Sequence, residues 1–182
     1  MYFSQGDYRK ALEWYDRALA GEEKSLGRDH PDTFTTVRNM ASVYDRQGDY
    51  SKALEWFDRA LSGQEKTLGR DHPSTLTTVK NIASAYGSQG DYSKALEWYN
   101  RALAGSERSL GRDHSSTLTP VSSMASVYDS QGDYKKALEW YDRALAGREE
   151  LLGKDHPSTA STASSIARVR AISGKPRFYF FW

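Results

Sequence analysis

Four His–Asp pairs are the residues of this chain best suited to chemistry. Asp29-His30, Asp71-His72, Asp113-His114 and Asp155-His156 each set an imidazole beside a carboxylate, as general bases and metal centres do. A metal needs several such ligands to converge at about 2 Å. These pairs instead recur every 42 residues, and stacked helical repeats space equivalent positions on the order of 10 Å apart. Their expected role is therefore to start helices. Trp14, Trp56, Trp98 and Trp140 recur in the same way. They could form an aromatic ladder for bases or ligands, but at helical spacing they are expected to pack between helices. Gly153-Lys154 lacks the preceding glycine and following hydroxyl residue of a phosphate loop. With no cysteine, no nucleophile–base constellation and no convergent carboxylates, neither enzyme activity nor a cofactor or metal is expected.

The elements that position these residues follow from the repeat. Gly6-Asp7-Tyr8, Gly48-Asp49-Tyr50, Gly90-Asp91-Tyr92 and Gly132-Asp133-Tyr134 stand 42 residues apart, and a period of that size signals one supersecondary unit stacked on itself. After Asp49, the apolar residues Tyr50, Ala53, Leu54, Phe57, Ala60 and Leu61 follow steps of three and four. They mark one face of a helix with Asp49 as its N-cap. Glu13–Arg17, Glu55–Arg59, Glu97–Arg101 and Glu139–Arg143 are expected to pair along that helix, for about 0.2–0.5 kcal/mol each. Gly69 suits a left-handed helix end. Asp71 or His72 then caps a helix with Pro73 at its first position, and Leu76, Val79, Ile82, Ala83 and Tyr86 form its apolar stripe. Each repeat thus reads as two antiparallel helices. Gly21, Gly63, Gly105 and Gly147 fall inside the second helix, at about 1 kcal/mol each relative to alanine. Either close backbone contact or a weak turn would explain them. In the third repeat Ser115 stands where proline is expected and Pro120 lies further in. That helix is expected to start late, capped by Ser116 or Thr117.

Ile82, Ala83, Tyr86, Gly90, Tyr92, Ala95, Tyr99 and Ala102 sit at the signature spacing of the tetratricopeptide repeat. With longer helices and a Leu-Gly-Arg-Asp-His-Pro connection, the chain resembles the kinesin-light-chain type of that repeat. It also resembles the C-terminal arrays of fungal NLR-like receptors. The resemblance implies an all-α, right-handed solenoid of antiparallel helix pairs over residues 1–174. Its parts are a partial unit 1–26, units 31–68, 73–110 and 115–152, and a partial unit 157–174.

The repeats differ most on one line of the first helix. Arg38, Asn39, Ser42, Asp45 and Arg46 in one repeat correspond to Lys80, Asn81, Ser84, Gly87 and Ser88 in the next. In the third they become Ser122, Ser123, Ser126, Asp129 and Ser130. Steps of three and four put each set on one surface. The resemblance places that surface on a concave groove, so an extended, acidic or amide-rich peptide is the expected partner. A groove of about 35 Å would hold about 10 extended residues. A non-enzymatic interaction scaffold is the expected function, and the sensing or oligomerisation arm of a larger NLR-like ATPase is the alternative.

A net charge of +1 over 182 residues gives no argument for nucleic acid or an anionic membrane as partner. No apolar run approaches the roughly 20 residues of a membrane span, and the start lacks a secretory pattern, so a cytoplasmic protein is expected. Met1 to Gln5 aligns with the last turn of a first helix, and residues 175–182 fit no part of the repeat. The chain is accordingly expected to be a piece of a longer array. The exposed second helix at residues 7–26 would then favour self-association.

Overall fold

The computed structural model describes residues 7–174. Among them are eight helices and no strand: α1 (Tyr8–Ser25), α2 (Pro31–Gln47), α3 (Tyr50–Thr67), α4 (Pro73–Gln89), α5 (Tyr92–Leu110), α6 (Ser115–Gln131), α7 (Tyr134–Leu152) and α8 (Pro157–Ser173). The chain divides into two compact bodies, Met1–Gly105 and Ser106–Trp182. No helix of the described residues is long and apolar enough to cross a membrane. The readings of residues 1–5 and 175–182 lie outside the described residues.

Asp49 shows how the period fixes the hairpins. Its N–H closes α2 on Tyr44 O at 3.0 Å across Gly48, which takes φ +85°. Its carboxylate opens α3 by accepting Lys52 N–H at 3.2 Å. One residue thus satisfies orphan groups of two helices, which holds the reversal to a two-residue connection. Asp7, Asp91 and Asp133 accept from Lys10, Lys94 and Lys136 in the same way. The long connection is anchored by Thr75, whose hydroxyl donates to Gly69 O at 2.9 Å. His72 caps α4, its Nδ1 accepting Ser74 N–H at 3.2 Å. His30, His114 and His156 do the same for α2, α6 and α8.

The late start expected for α6 is corrected. Its N-cap is His114, and Pro120 lies inside the helix. The start is held upstream of the proline: Ser116 N–H donates to His114 Nδ1 at 3.1 Å, and Thr117 Oγ1 to Gly111 O at 2.8 Å. Proline's fixed φ is itself helical, so its cost is the missing donor and the crowding of the preceding turn. The pairs expected along the second helices are also corrected. Among the described residues Arg59, Arg101 and Arg143 do not pair four residues back. They reach Glu23, Glu65 and Glu107 on the preceding second helix, with the guanidinium over Trp56, Trp98 and Trp140 at 5.1–5.6 Å. Stacking draws each arginine sideways off its own helix.

In the first body, Ala41, Ala53, Phe57, Leu61, Val79, Ile82, Ala85 and Ala102 form one buried cluster. Leu19, Val37, Met40 and Ala60 form another, and Trp56 packs on both. In the second body the cluster is Ala125, Ala137, Tyr141, Ile166 and Val169, with Trp140 against it. Trp98 packs on the first of these clusters, so Trp56, Trp98 and Trp140 all rest on core, as expected. Trp14, covered by Arg17 at 4.8 Å, remains 55% exposed. The glycine question is also decided. A Cβ on Gly63 would lie 2.1 Å from Phe34, one on Gly105 2.5 Å from Leu76, and one on Gly147 2.8 Å from Leu118. These glycines let the paired first helix press a side chain onto the second helix's backbone. Gly21 meets nothing.

Candidate functional site

The variable line of the first body runs along α2 and α4. Arg38, Asn39, Ser42 and Asp45 on α2, and Lys80 and Asn81 on α4, are half-buried; Arg46 and Ser84 are exposed. Their positions follow from the stripes beside them: Val37, Met40 and Ala41, then Val79, Ile82 and Ala83, are sealed in the core. The next residue round each helix therefore stands at the core's edge, with its apolar stem covered and its head free.

Two features of this face are unusual. Arg38 and Lys80 lie close enough to repel, and neither side-chain charge has an ion-pair or hydrogen-bond partner among the described residues; the Ser42 hydroxyl donates only to the Arg38 carbonyl. Burial first, and the Arg38 charge second, push the Lys80 ammonium below the ordinary lysine range. Burial lowers the Arg38 guanidinium as well. Gln64 on α3 is fully buried against α4. Its Oε1 accepts Thr78 Oγ1–H at 2.6 Å, while its Nε2 has no partner. Half-buried cations are ordinarily paired and buried amides satisfied. Thr78→Val, which leaves Gln64 Oε1 unserved as well, is expected to cost about 1 kcal/mol, read as a shift in the urea midpoint.

Asp45 is the opposite pole. Its Oδ1 is buried without a hydrogen-bond partner, and burial raises its carboxyl above the ordinary range, against the Arg46 charge. In the second body the equivalent Asp129 is neutralised by Arg168 on α8. The same 39-residue step from Asp45 reaches Ser84, which carries no charge.

The second body uses the line differently. Ser122, Ser126 and Asp129 are all engaged within it. Ser122 Oγ accepts from Arg148 at 2.9 Å, and Ser126 Oγ lies 2.9 Å from the Tyr141 hydroxyl. Arg148 on α7 also donates to Thr162 Oγ1 and to Ser158 O. Neither Gln64 nor Arg148 was singled out from the sequence. The signal was present, though: along the second helices one position reads Glu22, Gln64, Ser106, Arg148 at steps of 42, a change of charge inside an otherwise uniform phrase. Two such steps carry Arg148 with Ser122 and Thr162 onto Gln64 with Arg38 and Thr78. Opposite Ser106 the threonine is replaced by buried Pro120, small residue against ring. Among the described residues no group of His, Asp and Glu could hold a metal. The histidines serve as caps.

Comparison with known proteins gives the family context. A family model described as tetratricopeptide repeat matches residues 1–66, 38–108, 89–150 and 113–177. No curated protein matches the sequence. Among solved structures, the Podosopora anserina protein called a kinesin light chain, with nearly identical TPR-like repeats, is 26% identical with a TM-score of 0.78. The alignment covers 95% of this chain and 82% of that one. BtubC (BKLC) from P. vanneervenii is 26% identical with a TM-score of 0.81, over 95% and 69% of the two chains. A Rap protein, solved in complex with Competence and Sporulation Factor, shares the fold at 18% identity and a TM-score of 0.75, over 95% and 46%. The fold is the expected one, an all-α repeat superhelix of the tetratricopeptide class. Proteins of this fold generally serve as non-enzymatic interaction scaffolds.

Proposed function

Because the chain belongs to the tetratricopeptide-repeat family, of the kinesin-light-chain type, we propose that it is an interaction scaffold that binds an extended peptide along the first helices. The observation that carries this is the pair Arg38 and Lys80: two half-buried cations in mutual repulsion without an acid between them. A ligand carboxylate placed there relieves desolvation and repulsion together, and charge-assisted hydrogen bonds to it are about twice as strong as neutral ones. Asn39 and Asn81, half-buried alongside, offer amides to a peptide backbone.

Asp45 extends the reading. It lies seven residues beyond Arg38 on α2, about 10 Å along the helix, which an extended peptide spans in about three residues. The favoured ligand therefore carries an acidic side chain and, about three residues away, a basic one. The test is fluorescence anisotropy with labelled ten-residue peptides bearing Glu and Lys at that spacing. Wild type is expected to bind these at least tenfold more tightly than peptides with both charges removed. The Arg38→Glu/Lys80→Glu variant should lose that margin. Equal affinity for wild type and variant would remove the proposal.

A further inference from the structure

The positive charge of this line does not vanish in the second body; it changes helix. Where α2 and α4 carry Arg38 and Lys80, α6 and α8 carry Ser122 and Ser164, and the cation is Arg148 on α7 between them. The environment of Arg148 differs from that of its neighbours. Arg143 pairs with Glu107, Arg168 with Asp129 and Arg170 with Asp142. Arg148, half-buried, meets only neutral acceptors among the described residues: Ser158 O at 3.3 Å and Thr162 Oγ1 from Nη1, and Ser122 Oγ at 2.9 Å from Nη2. These bonds use three of the five N–H groups of a guanidinium. They fix the head and leave its Nε–H and one Nη2–H unserved.

The guanidinium forms one wall of a surface cavity of about 150 Å³ whose other walls include hydroxyls from three helices, among them Ser122 and Ser126 of α6, Tyr141 of α7, and Ser161 and Ser165 of α8. That volume equals about five waters, room for an oxyanion of phosphate size. Ser122, Ser126 and Ser165 spend their protons on carbonyls about one turn back, Thr119 O at 3.0 Å, Ser122 O at 3.2 Å and Ser161 O at 3.1 Å. A hydroxyl readily turns from such a bond to an anionic acceptor. Serines on helix faces do not by themselves make a site. Here they flank a half-buried charge that has no counter-ion among the described residues.

We propose that this pocket binds a tetrahedral oxyanion, a phosphate or a phosphoryl group, with Arg148 as the charge and Ser122, Ser126, Ser161 and Ser165 as hydroxyl donors. A planar carboxylate would occupy the guanidinium edge and leave the hydroxyls across the cavity without an acceptor. A tetrahedral group directs oxygens to both sides. The pocket lies wholly within the second body and is independent of the Arg38–Lys80 reading.

The test is a nitrogen–proton NMR titration of the full chain with sodium phosphate, against sodium acetate at matched ionic strength. Saturable shifts are expected at the Arg148 Nε–H and at the amides of Ser122, Ser126, Ser161 and Ser165, with acetate at least tenfold weaker. Arg148→Gln should weaken phosphate binding on the order of tenfold. Because that change also loosens α6 and α8 from α7, Ser165→Asp serves as the second variant. It leaves Arg148 in place and supplies an internal anion, so it should abolish the phosphate shifts with the circular dichroism spectrum unchanged. Absent or non-saturable shifts, acetate binding as well as phosphate, or a Ser165→Asp variant that binds like wild type would each overturn the proposal. A phosphoserine peptide and its unphosphorylated twin identify the source. Tighter binding of the phosphopeptide than of inorganic phosphate assigns a modified partner protein; binding no tighter assigns free phosphate. The Arg38→Glu/Lys80→Glu variant should bind phosphate as wild type does.

Discussion

Gly63→Ala is expected to destabilise the protein by about 1 kcal/mol, whereas the same substitution at Gly21 stabilises it by up to about 1 kcal/mol. On propensity alone both should stabilise, since alanine in a helix interior is worth about 1 kcal/mol over glycine. At Gly63 the new methyl meets the Phe34 ring at 2.1 and 2.2 Å, far inside contact distance, and Phe34 is itself a core side chain, 3% exposed. Forcing such a group costs about 1–3 kcal/mol or somewhat more, and this outweighs the propensity gain. At Gly21 a Cβ meets nothing within 4 Å, so only the gain remains. In urea titrations the midpoints should move in opposite directions with unchanged slopes. A Phe34→Ala/Gly63→Ala cycle should show coupling of about 1 kcal/mol or more, because the smaller residue removes the clash. Equal and stabilising midpoint shifts at both glycines would refute the close contact between α2 and α3.

This pair also shows where reading the sequence stops. The period, the Asp N-caps, Gly69 and the apolar stripes are local rules, and each was legible because backbone chemistry within a few residues decides it. Gly63 was not, because its reason is Phe34, 29 residues earlier. The glutamate–arginine pairs failed in the same manner: spacing along one helix was right, but Trp56 and Glu23 compete for Arg59 from the side. Pro120 misled because a proline was weighed alone, without the His114 cap and the Thr117 anchor that fix the helix start. On the candidate site, varying residues were visible on the first helices since they interrupt a uniform phrase. Gln64 and Arg148 sit on the second helices, where a polar residue among conspicuous alanines and aromatics reads as surface until burial is known. Whether a cation there is paired is a tertiary property, and it divides Arg148 from Arg143, five residues away.

Arg38→Met combined with Lys80→Met is expected to raise stability by about 2 kcal/mol while removing peptide binding. Each replacement keeps the apolar stem and deletes a charge that is half-buried, unpaired and repelled by the other. Single relief of this kind is worth about 0.5–2 kcal/mol. The gain should depend on pH in a defined direction. Burial and the Arg38 charge hold the folded Lys80 ammonium below its unfolded value, the ordinary 10.5. Between those two values the unfolded chain binds more protons than the folded one, so wild-type stability rises with pH there. Below the folded value the full cost of the charged lysine is present. The stability difference between Lys80→Met and wild type should therefore be greatest near neutrality and shrink as pH rises toward the lysine range. Urea unfolding of both proteins at pH 7 and at pH 10 reads this directly. A difference that is constant, or that grows with pH, would mean that Lys80 is as well solvated when folded as when unfolded. The site would then hold no stored repulsion for a ligand carboxylate to relieve. If the difference behaves as expected, a stabilised variant that has lost its ligand identifies this face as one kept at a cost to the fold, as binding surfaces commonly are.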